Sequence, residues 1–115
     1  MLLQNMKTDI SCNRFGGNGD VIIEHYIDEG MLNDTVVMYA RVTLKPGCSL
    51  GYHVHTGNSE TIVVLQGTAE YNDNGTPMTL HVGDRVHCPN GEGHAIGNPV
   101  NATQDLLLQA LVIKG

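Results

Sequence analysis

Residues 47–67 read GCSLGYHVHTGNSETIVVLQG, in which a single residue separates His53 from His55. Because side chains alternate across a β-strand, both imidazoles are expected on the same face of a sheet. Residues 56–59, Thr-Gly-Asn-Ser, are typical of a turn that reverses the chain. We expect an antiparallel partner strand to begin at Glu60 and to bring its carboxylate beside the two imidazoles. This stretch therefore predicts a β-rich fold in which three metal-ligating side chains lie together.

A second stretch, residues 83–98, reads GDRVHCPNGEGHAIGN and adds a further histidine, His94. His94 follows a loop that begins at Pro89, and it opens a short predicted strand. Imidazole nitrogens and carboxylate oxygens suit divalent first-row transition metals. The alternative is that these are ordinary surface histidines of a β-rich protein. It does not explain why three histidines and a glutamate fall at positions that suit a shared metal ion. We therefore predict one divalent ion, Mn, Fe, Ni, Co or Zn, bound by His53, His55, Glu60 and His94.

Both stretches resemble the two sequence motifs of the cupin family, G-x5-H-x-H-x4-E-x6-G and G-x5-P-x-G-x2-H-x3-N. Every specified position is matched, in the right order and with a short gap between the motifs. The resemblance implies an all-β fold, the cupin jelly-roll barrel or double-stranded β-helix, with the same four residues as metal ligands. Cupins include dioxygenases, decarboxylases, isomerases and non-enzymatic binding proteins, so the family alone does not define a reaction.

Strand patterns recur at short intervals along the chain, and no helix-period segment of any length occurs. The predicted strands are residues 20–27, 35–44, 60–71, 78–82, 86–88, 94–97 and 105–113. Asn-Asp-Asn-Gly at residues 72–75 indicates a hairpin between two of them. We predict a single cupin domain over residues 20–115, preceded by a partly ordered leader, residues 1–19. The G-x-G pattern within residues 14–19 follows no predicted strand, so we expect a flexible turn there rather than a nucleotide site.

Composition excludes several classes of protein. The chain has 115 residues, of which 41% are apolar and 16% charged, as in one globular domain. A net charge of −6 with six scattered lysines and arginines argues against nucleic-acid binding. The longest apolar stretch, residues 106–113, is too short to cross a membrane. Residues 1–7 lack the apolar run of a signal peptide, and the three cysteines show no paired spacing, so a cytoplasmic location is expected.

The same patterns suggest which residues surround the metal. Ile62 and Val64 share the face of Glu60 and are expected to wall a pocket. Arg41 or Arg85 could orient a substrate carboxylate through a bidentate contact, although alternation along the strand favours an outward Arg41. The full set of pocket candidates is Met38, Arg41, Ile62, Val64, Arg85 and Ile96. No catalytic acid or base is identified apart from the metal ligands.

Three functions remain open. Four protein ligands leave two positions on an octahedral ion. This favours a metal-dependent enzyme of dioxygenase or decarboxylase type that acts on a small organic acid or a similar oxygenated metabolite. The resemblance extends to small bacterial cupins described as similar to oxalate decarboxylases, but Leu50 stands where those enzymes have an arginine. The alternatives are a sugar or sugar-phosphate isomerase or epimerase and a non-catalytic metal- or metabolite-binding protein. We also expect a homodimer formed through residues 21–27 and the leader.

Overall fold

The computed structural model describes residues 1–115 and contains ten β-strands and two short 3₁₀ turns. The strands are β1 (Thr8–Cys12), β2 (Asp20–His25), β3 (Val36–Leu44), β4 (Ser49–Val54), β5 (Asn58–Gln66), β6 (Ala69–Asp73), β7 (Thr76–Leu80), β8 (Arg85–Cys88), β9 (Gly93–Gly97) and β10 (Leu106–Lys114). The 3₁₀ turns span Arg14–Gly16 and Glu29–Met31. None of the helical segments has the length and apolar character needed to span a bilayer.

The strands form two antiparallel sheets. The larger sheet has the order β1-β2-β3-β10-β5-β8, and the smaller one has the order β4-β9-β6-β7. One hydrophobic cluster draws buried side chains from both sheets, so the sheets pack face to face. In the larger sheet, every second residue of β3 and β10 points into this core, and Leu44 pairs directly with Leu106. This arrangement confirms the predicted all-β jelly roll.

The two ligand-bearing strands do not pair as the sequence predicted. β4 pairs with β9 in the smaller sheet, whereas β5 lies between β10 and β8 in the larger sheet. Gly57, with a φ of 81°, turns the chain from one sheet to the other. The predicted strand 60–71 is also divided, because Gly67 with a φ of 90° sends its second half, β6, into the smaller sheet. Glu60 therefore faces the histidines across the interior instead of beside them in one sheet.

The predicted hairpin at residues 72–75 is confirmed. β6 and β7 pair up to Asp73 opposite Thr76, which leaves a two-residue turn. Asn74 and Gly75 both have positive φ, at 49° and 99°. These are the residue types and the conformation that a tight turn between two twisted strands requires.

The leader contributes a strand that the sequence did not predict. β1 pairs with β2 from Thr8 opposite Glu24 to Cys12 opposite Asp20, so it extends the larger sheet at its edge. Only Ser11 of this strand is even partly buried. An edge strand exposed on both faces has no apolar alternation, and period-two patterning therefore does not reveal it. The leader continues through the 3₁₀ turn Arg14–Gly16, which packs against β4.

Candidate metal centre

Four side chains from both sheets converge in the interior. His53 on β4 lies directly opposite His94 on β9, His55 follows the end of β4, and Glu60 comes from β5. One ligating atom from each of the four lies within 4.8 Å of the others. The His94 Nε2 atom is 3.1 Å from the Nε2 atoms of both His53 and His55. The Glu60 Oε1 atom is 3.0 Å from His94 Nε2 and 3.2 Å from His55 Nε2.

Each imidazole is oriented by a hydrogen bond at its other nitrogen. His53 Nδ1 donates to the Gly51 carbonyl oxygen over 2.8 Å, and His55 Nδ1 donates to the Asn58 Oδ1 atom over 2.5 Å. His94 Nδ1 lies 2.9 Å from the Tyr71 hydroxyl oxygen, inside the core. Because carbonyl oxygens only accept, the proton of neutral His53 and neutral His55 stays on Nδ1 and the lone pair stays on Nε2.

This donor set fits a metal ion. Nε2 lone pairs only 3.1 Å apart repel one another unless a cation lies between them. A carboxylate oxygen at the same point supplies negative charge to such a cation. Three imidazole nitrogens and one carboxylate oxygen are ligands that divalent first-row metals accept. The cluster can therefore hold one metal ion.

The protonation states agree with this role. Burial alone would raise the pKa of the Glu60 carboxyl, but the adjacent imidazoles of His55 and His94 outweigh it and lower the pKa to about 2. Burial lowers the pKa of His53. The adjacent Glu60 carboxylate raises the pKa of His55, so metal binding at this nitrogen competes with a proton. At neutral pH the carboxylate is ionised and His53 is neutral, which are the forms that bind metals.

The cluster borders a cavity of about 390 Å³ between the sheets. Most of its lining is apolar, and three of the predicted pocket residues, Met38, Ile62 and Ile96, contribute to it. Leu50, which stands at the family's arginine position, also lines the cavity. Apolar walls limit competition from water and strengthen electrostatic contacts to a bound ligand.

The structure places the other three pocket candidates away from the cavity. Arg41 points outward, where its guanidinium contacts both carboxylate oxygens of Glu24 at 3.0 Å. Arg85 is exposed on β8 opposite Val63, whose side chain lies on the outer face of the sheet. Val64 does face inward, as expected, but it packs in the core four residues beyond Glu60 and is 1% exposed. Neither Arg41 nor Arg85 can therefore orient a carboxylate in this cavity, contrary to the prediction.

Sequence reasoning missed an aromatic and a basic residue at the cavity. The ring of Phe15 stacks on the ring of His53, with centroids 4.0 Å apart and planes inclined by 17°. The guanidinium carbon of Arg14 lies 4.9 Å from the centroid of the Phe15 ring, and both residues line the cavity. The turn that contains them was expected to be flexible. No local pattern could have found this contact, because it depends on where β4 lies in the fold.

Tyr71 and the hydrogen-bond acceptor Asn58 were also missed. Tyr71 is an inward residue of β6 and is 3% exposed, and its hydroxyl forms a hydrogen bond with the His94 ring. Asn58 belongs to the segment that was predicted as a turn, and its amide oxygen carries the His55 ring. Both orient members of the cluster without belonging to it, which is why metal-ligand spacing does not identify them.

Comparison with known proteins agrees with this architecture. Residues 40–108 match a sequence model of the Cupin domain. The oxalate-binding protein of Thermotoga maritima is 34% identical over 101 residues, which make up 88% of this chain and 82% of that protein. A crystal structure of a predicted oxalate decarboxylase from Thermotoga maritima has a TM-score of 0.90 at 29% identity, with 100% of both chains covered.

A more distant likeness concerns a sugar phosphate isomerase of the cupin superfamily from Silicibacter pomeroyi. Its TM-score is 0.70 at 21% identity, over 83% of this chain and 60% of that one, and it shows the fold alone. The Cupin domain match spans more than half of the residues, and the oxalate-binding relative is more than 30% identical over most of them. The chain belongs to the cupin family.

Proposed function

We propose that this cupin holds one divalent transition metal through His53, His55, Glu60 and His94 and binds a small carboxylate in the adjoining cavity. The observation that carries the proposal is the convergence of three oriented Nε2 atoms and one ionised carboxylate oxygen at the cavity wall. When bound, the metal supplies a Lewis acid to which carboxylate oxygens of a dicarboxylate or an α-keto acid can attach.

The residues around the cluster determine what this site accepts. The apolar side chains of Met38, Ile62 and Ile96 exclude water and leave room for a ligand of a few heavy atoms. Hydrogen bonds at Nδ1 keep the three imidazoles in place before any ligand arrives, so little reorganisation accompanies binding. The relative from Thermotoga maritima, named an oxalate-binding protein, supports a small dicarboxylate as the ligand class.

A second candidate is an enzyme that converts the same ligand, of decarboxylase or dioxygenase type. The likeness to the predicted oxalate decarboxylase over the whole chain favours it. The cavity lining contains no carboxyl group besides that of Glu60 and no histidine besides the three in the cluster. Turnover would therefore depend on the metal and on these residues, since no separate acid or base is available to move a proton.

A sugar-phosphate isomerase is the weaker reading of this site. Recognition of a phosphate group requires several positive charges or backbone donors. Of the six lysines and arginines in the chain, Arg14 alone lines the cavity. A single arginine beside a predominantly apolar wall matches a small carboxylate better than a sugar phosphate.

Calorimetric titration with oxalate tests the proposal directly. Protein purified without an affinity tag is loaded with one equivalent of Mn²⁺, Fe²⁺, Ni²⁺, Co²⁺ or Zn²⁺, and metal-free protein serves as the control. We expect saturable binding of oxalate in at least one metal-loaded form and none in the metal-free form. Equal affinity in the two forms, or no binding in either, would contradict the proposal. Carbon dioxide release from the loaded protein separates the enzyme from the binding protein.

We also propose a homodimer that uses the N-terminal leader. β2 is not available for pairing, because β1 and β3 flank it on both sides. The open edge belongs to β1, and its Ile10 side chain is 64% exposed. Pairing of β1 edges would cover backbone groups that an edge strand leaves free. Light scattering at micromolar concentration is expected to give twice the chain mass, and a monomeric mass would contradict the proposal.

A cytoplasmic location is likewise proposed. All three cysteines are free, and Cys12 is exposed. Free exposed thiols persist in compartments that keep cysteines reduced. Fractionation of cells that produce the protein, followed by detection with an antibody, is expected to place it in the cytoplasmic fraction.

A further inference from the structure

The 3₁₀ turn Arg14–Gly16 closes one side of the cavity that the His–Glu cluster borders. This cluster consists of His53, His55, Glu60 and His94. Phe15 stacks on the His53 ring at a centroid distance of 4.0 Å, so the leader covers one face of the His53 imidazole. The guanidinium of Arg14 contacts the same phenyl ring, 4.9 Å from its centroid. An arginine and an imidazole are thus both held against one phenyl ring at the cavity wall.

Close backbone packing holds this turn in place. A Cβ atom on Gly51 would collide with the carbonyl oxygen of Phe15 and would lie 2.7 Å from the Gly17 nitrogen. The Asn18 side chain donates to the Gly47 carbonyl oxygen at 2.8 Å, and the Ser49 nitrogen donates to the Asn18 carbonyl oxygen at 2.8 Å. The leader is therefore fixed on β4, the strand that carries His53, rather than resting loosely on the surface.

Phe15 adopts a conformation that side chains of its size rarely take. Its φ is 54° and its ψ is 32°, in the left-handed region that favours glycine. Its side chain is nevertheless 49% exposed, so burial of the phenyl ring in a core does not account for the strain. Strained backbone of this kind concentrates at binding sites, where surrounding contacts maintain it.

Arg14 has unused hydrogen-bonding capacity. Its side chain takes part in no ion pair and in no hydrogen bond of the structure, whereas Arg41 is fully engaged with Glu24. Because no protein acceptor uses them, the five N–H donors of this guanidinium are available to a ligand. Arg14 is also the one lysine or arginine that lines the cavity. A planar fork of donors in the lining of the cavity that the His–Glu cluster borders matches the geometry of a second carboxylate.

We propose that the turn Arg14–Gly16 forms the second half of the ligand site, in which Arg14 recognises a carboxylate that the ligand extends away from the His–Glu cluster. This assignment rests on the proposed binding of a small carboxylate by the metal. One end of the ligand attaches at the cluster, and the other end accepts hydrogen bonds from the guanidinium. Arg14 thereby makes the site selective for dicarboxylates over monocarboxylates, and it supplies from the leader the positive charge that Leu50 does not supply from β4.

The test compares oxalate with oxamate, which has nearly the same shape but one carboxylate replaced by an amide. Titration calorimetry is performed on metal-loaded wild type, Arg14→Ala, Arg14→Lys and the matched control Arg85→Ala, whose arginine is exposed outside the cavity. Loss of the guanidinium is expected to weaken oxalate binding roughly ten- to hundredfold and oxamate binding much less. Arg14→Lys is expected to retain part of the preference for oxalate, and Arg85→Ala all of it. Metal content is measured for every variant and is expected to stay at one equivalent.

Each result is decisive. Wild type that binds oxalate only with metal, together with Arg14→Ala that binds it equally well, would overturn the role of Arg14 and leave the proposed function intact. An equal loss for oxalate and oxamate would also overturn it, because selectivity is the property assigned to Arg14. Wild type that binds no oxalate when loaded would overturn the proposed function and this inference together.

Discussion

Two regions meet at the ring of His53, and the structure holds them in different ways. On one side lies the His–Glu cluster, where hydrogen bonds at Nδ1 orient the buried imidazole of His94 and the half-buried imidazoles of His53 and His55. On the other side lies the Arg14–Gly16 turn, which is exposed and is held by backbone packing against Gly51. The cluster is specified by the identity of its side chains, whereas the turn is specified by the space available on β4. Substitutions should therefore abolish metal binding in the first region and alter access or selectivity in the second.

The largest expected effect comes from the cluster itself. The double variant His55→Ala and His94→Ala removes two of the four proposed ligands and should abolish stoichiometric metal binding. Elemental analysis of purified protein gives the metal content. The matched control is His87→Ala, because His87 is an exposed histidine that lies 2.8 Å from the Thr61 hydroxyl and outside the cluster. Full retention of metal by the double variant would show that these residues are not the ligands.

A smaller loss is expected from the residue that supports His94. Tyr71→Phe removes the hydroxyl group 2.9 Å from His94 Nδ1 and leaves that buried nitrogen without its partner. Loss of such a supporting hydrogen bond typically lowers metal affinity by about 10–100-fold. Competition with a metal-binding dye measures the affinity. The control is Tyr39→Phe, which removes a hydroxyl that accepts a hydrogen bond from Gln109 on the outer face of the larger sheet. This variant should leave the metal affinity unchanged.

The turn is tested by filling the space on which it rests. Gly51→Ala should displace the leader, because the added methyl group collides with the Phe15 carbonyl oxygen. We expect hydrogen exchange at residues 13–19 to accelerate by roughly tenfold or more while metal stoichiometry is retained. Gly30→Ala is the matched control, since no atom lies within 4 Å of its added Cβ. Unchanged exchange in Gly51→Ala would mean that the turn is not held by this contact.

The smallest effect concerns two cysteines in contrasting surroundings. Burial raises the pKa of the Cys88 thiol to about 11, and its residue is 2% exposed. Cys12, by contrast, is exposed at the leader edge. An alkylating reagent at pH 8 should therefore modify Cys12 readily and Cys88 only after unfolding, because the thiolate is the reacting form. Peptide mass mapping after brief exposure reads out the order, and early modification of Cys88 would contradict it.

The grouping of His53, His55, Glu60 and His94 could be anticipated from the sequence, because spacing within each of the two motifs sets where its members lie. His53 and His55 share a face through strand alternation, and the motif positions of Glu60 and His94 complete the set. The pairing of their strands could not be anticipated. Two antiparallel arrangements bring a carboxylate near the imidazoles, and only the packing of the whole barrel selects the one in which β5 lies across the interior.

Two features of the leader, the strand β1 and the contact of the Arg14–Gly16 turn with the cavity, were not predicted, for a different physical reason. β1 gains its stability from backbone hydrogen bonds to β2 and buries almost no apolar surface, so hydrophobic periodicity carries no signal for it. Arg14 and Phe15 reach the cavity only because Gly17 and Gly51 allow two backbones to approach closely. Such contacts between residues distant in the chain leave no local pattern.

The origin of the ligands from both sheets has a consequence for the lifetime of the protein. Glu60 belongs to the larger sheet and His94 to the smaller one, so an ion bound by both would crosslink the two sheets. Unfolding separates the sheets and destroys the crosslink, so free metal at about 1,000 times its dissociation constant would add roughly 4 kcal/mol to the free energy of unfolding. Metal-free protein would therefore unfold more readily, and proteases would degrade it sooner than the metal-loaded protein.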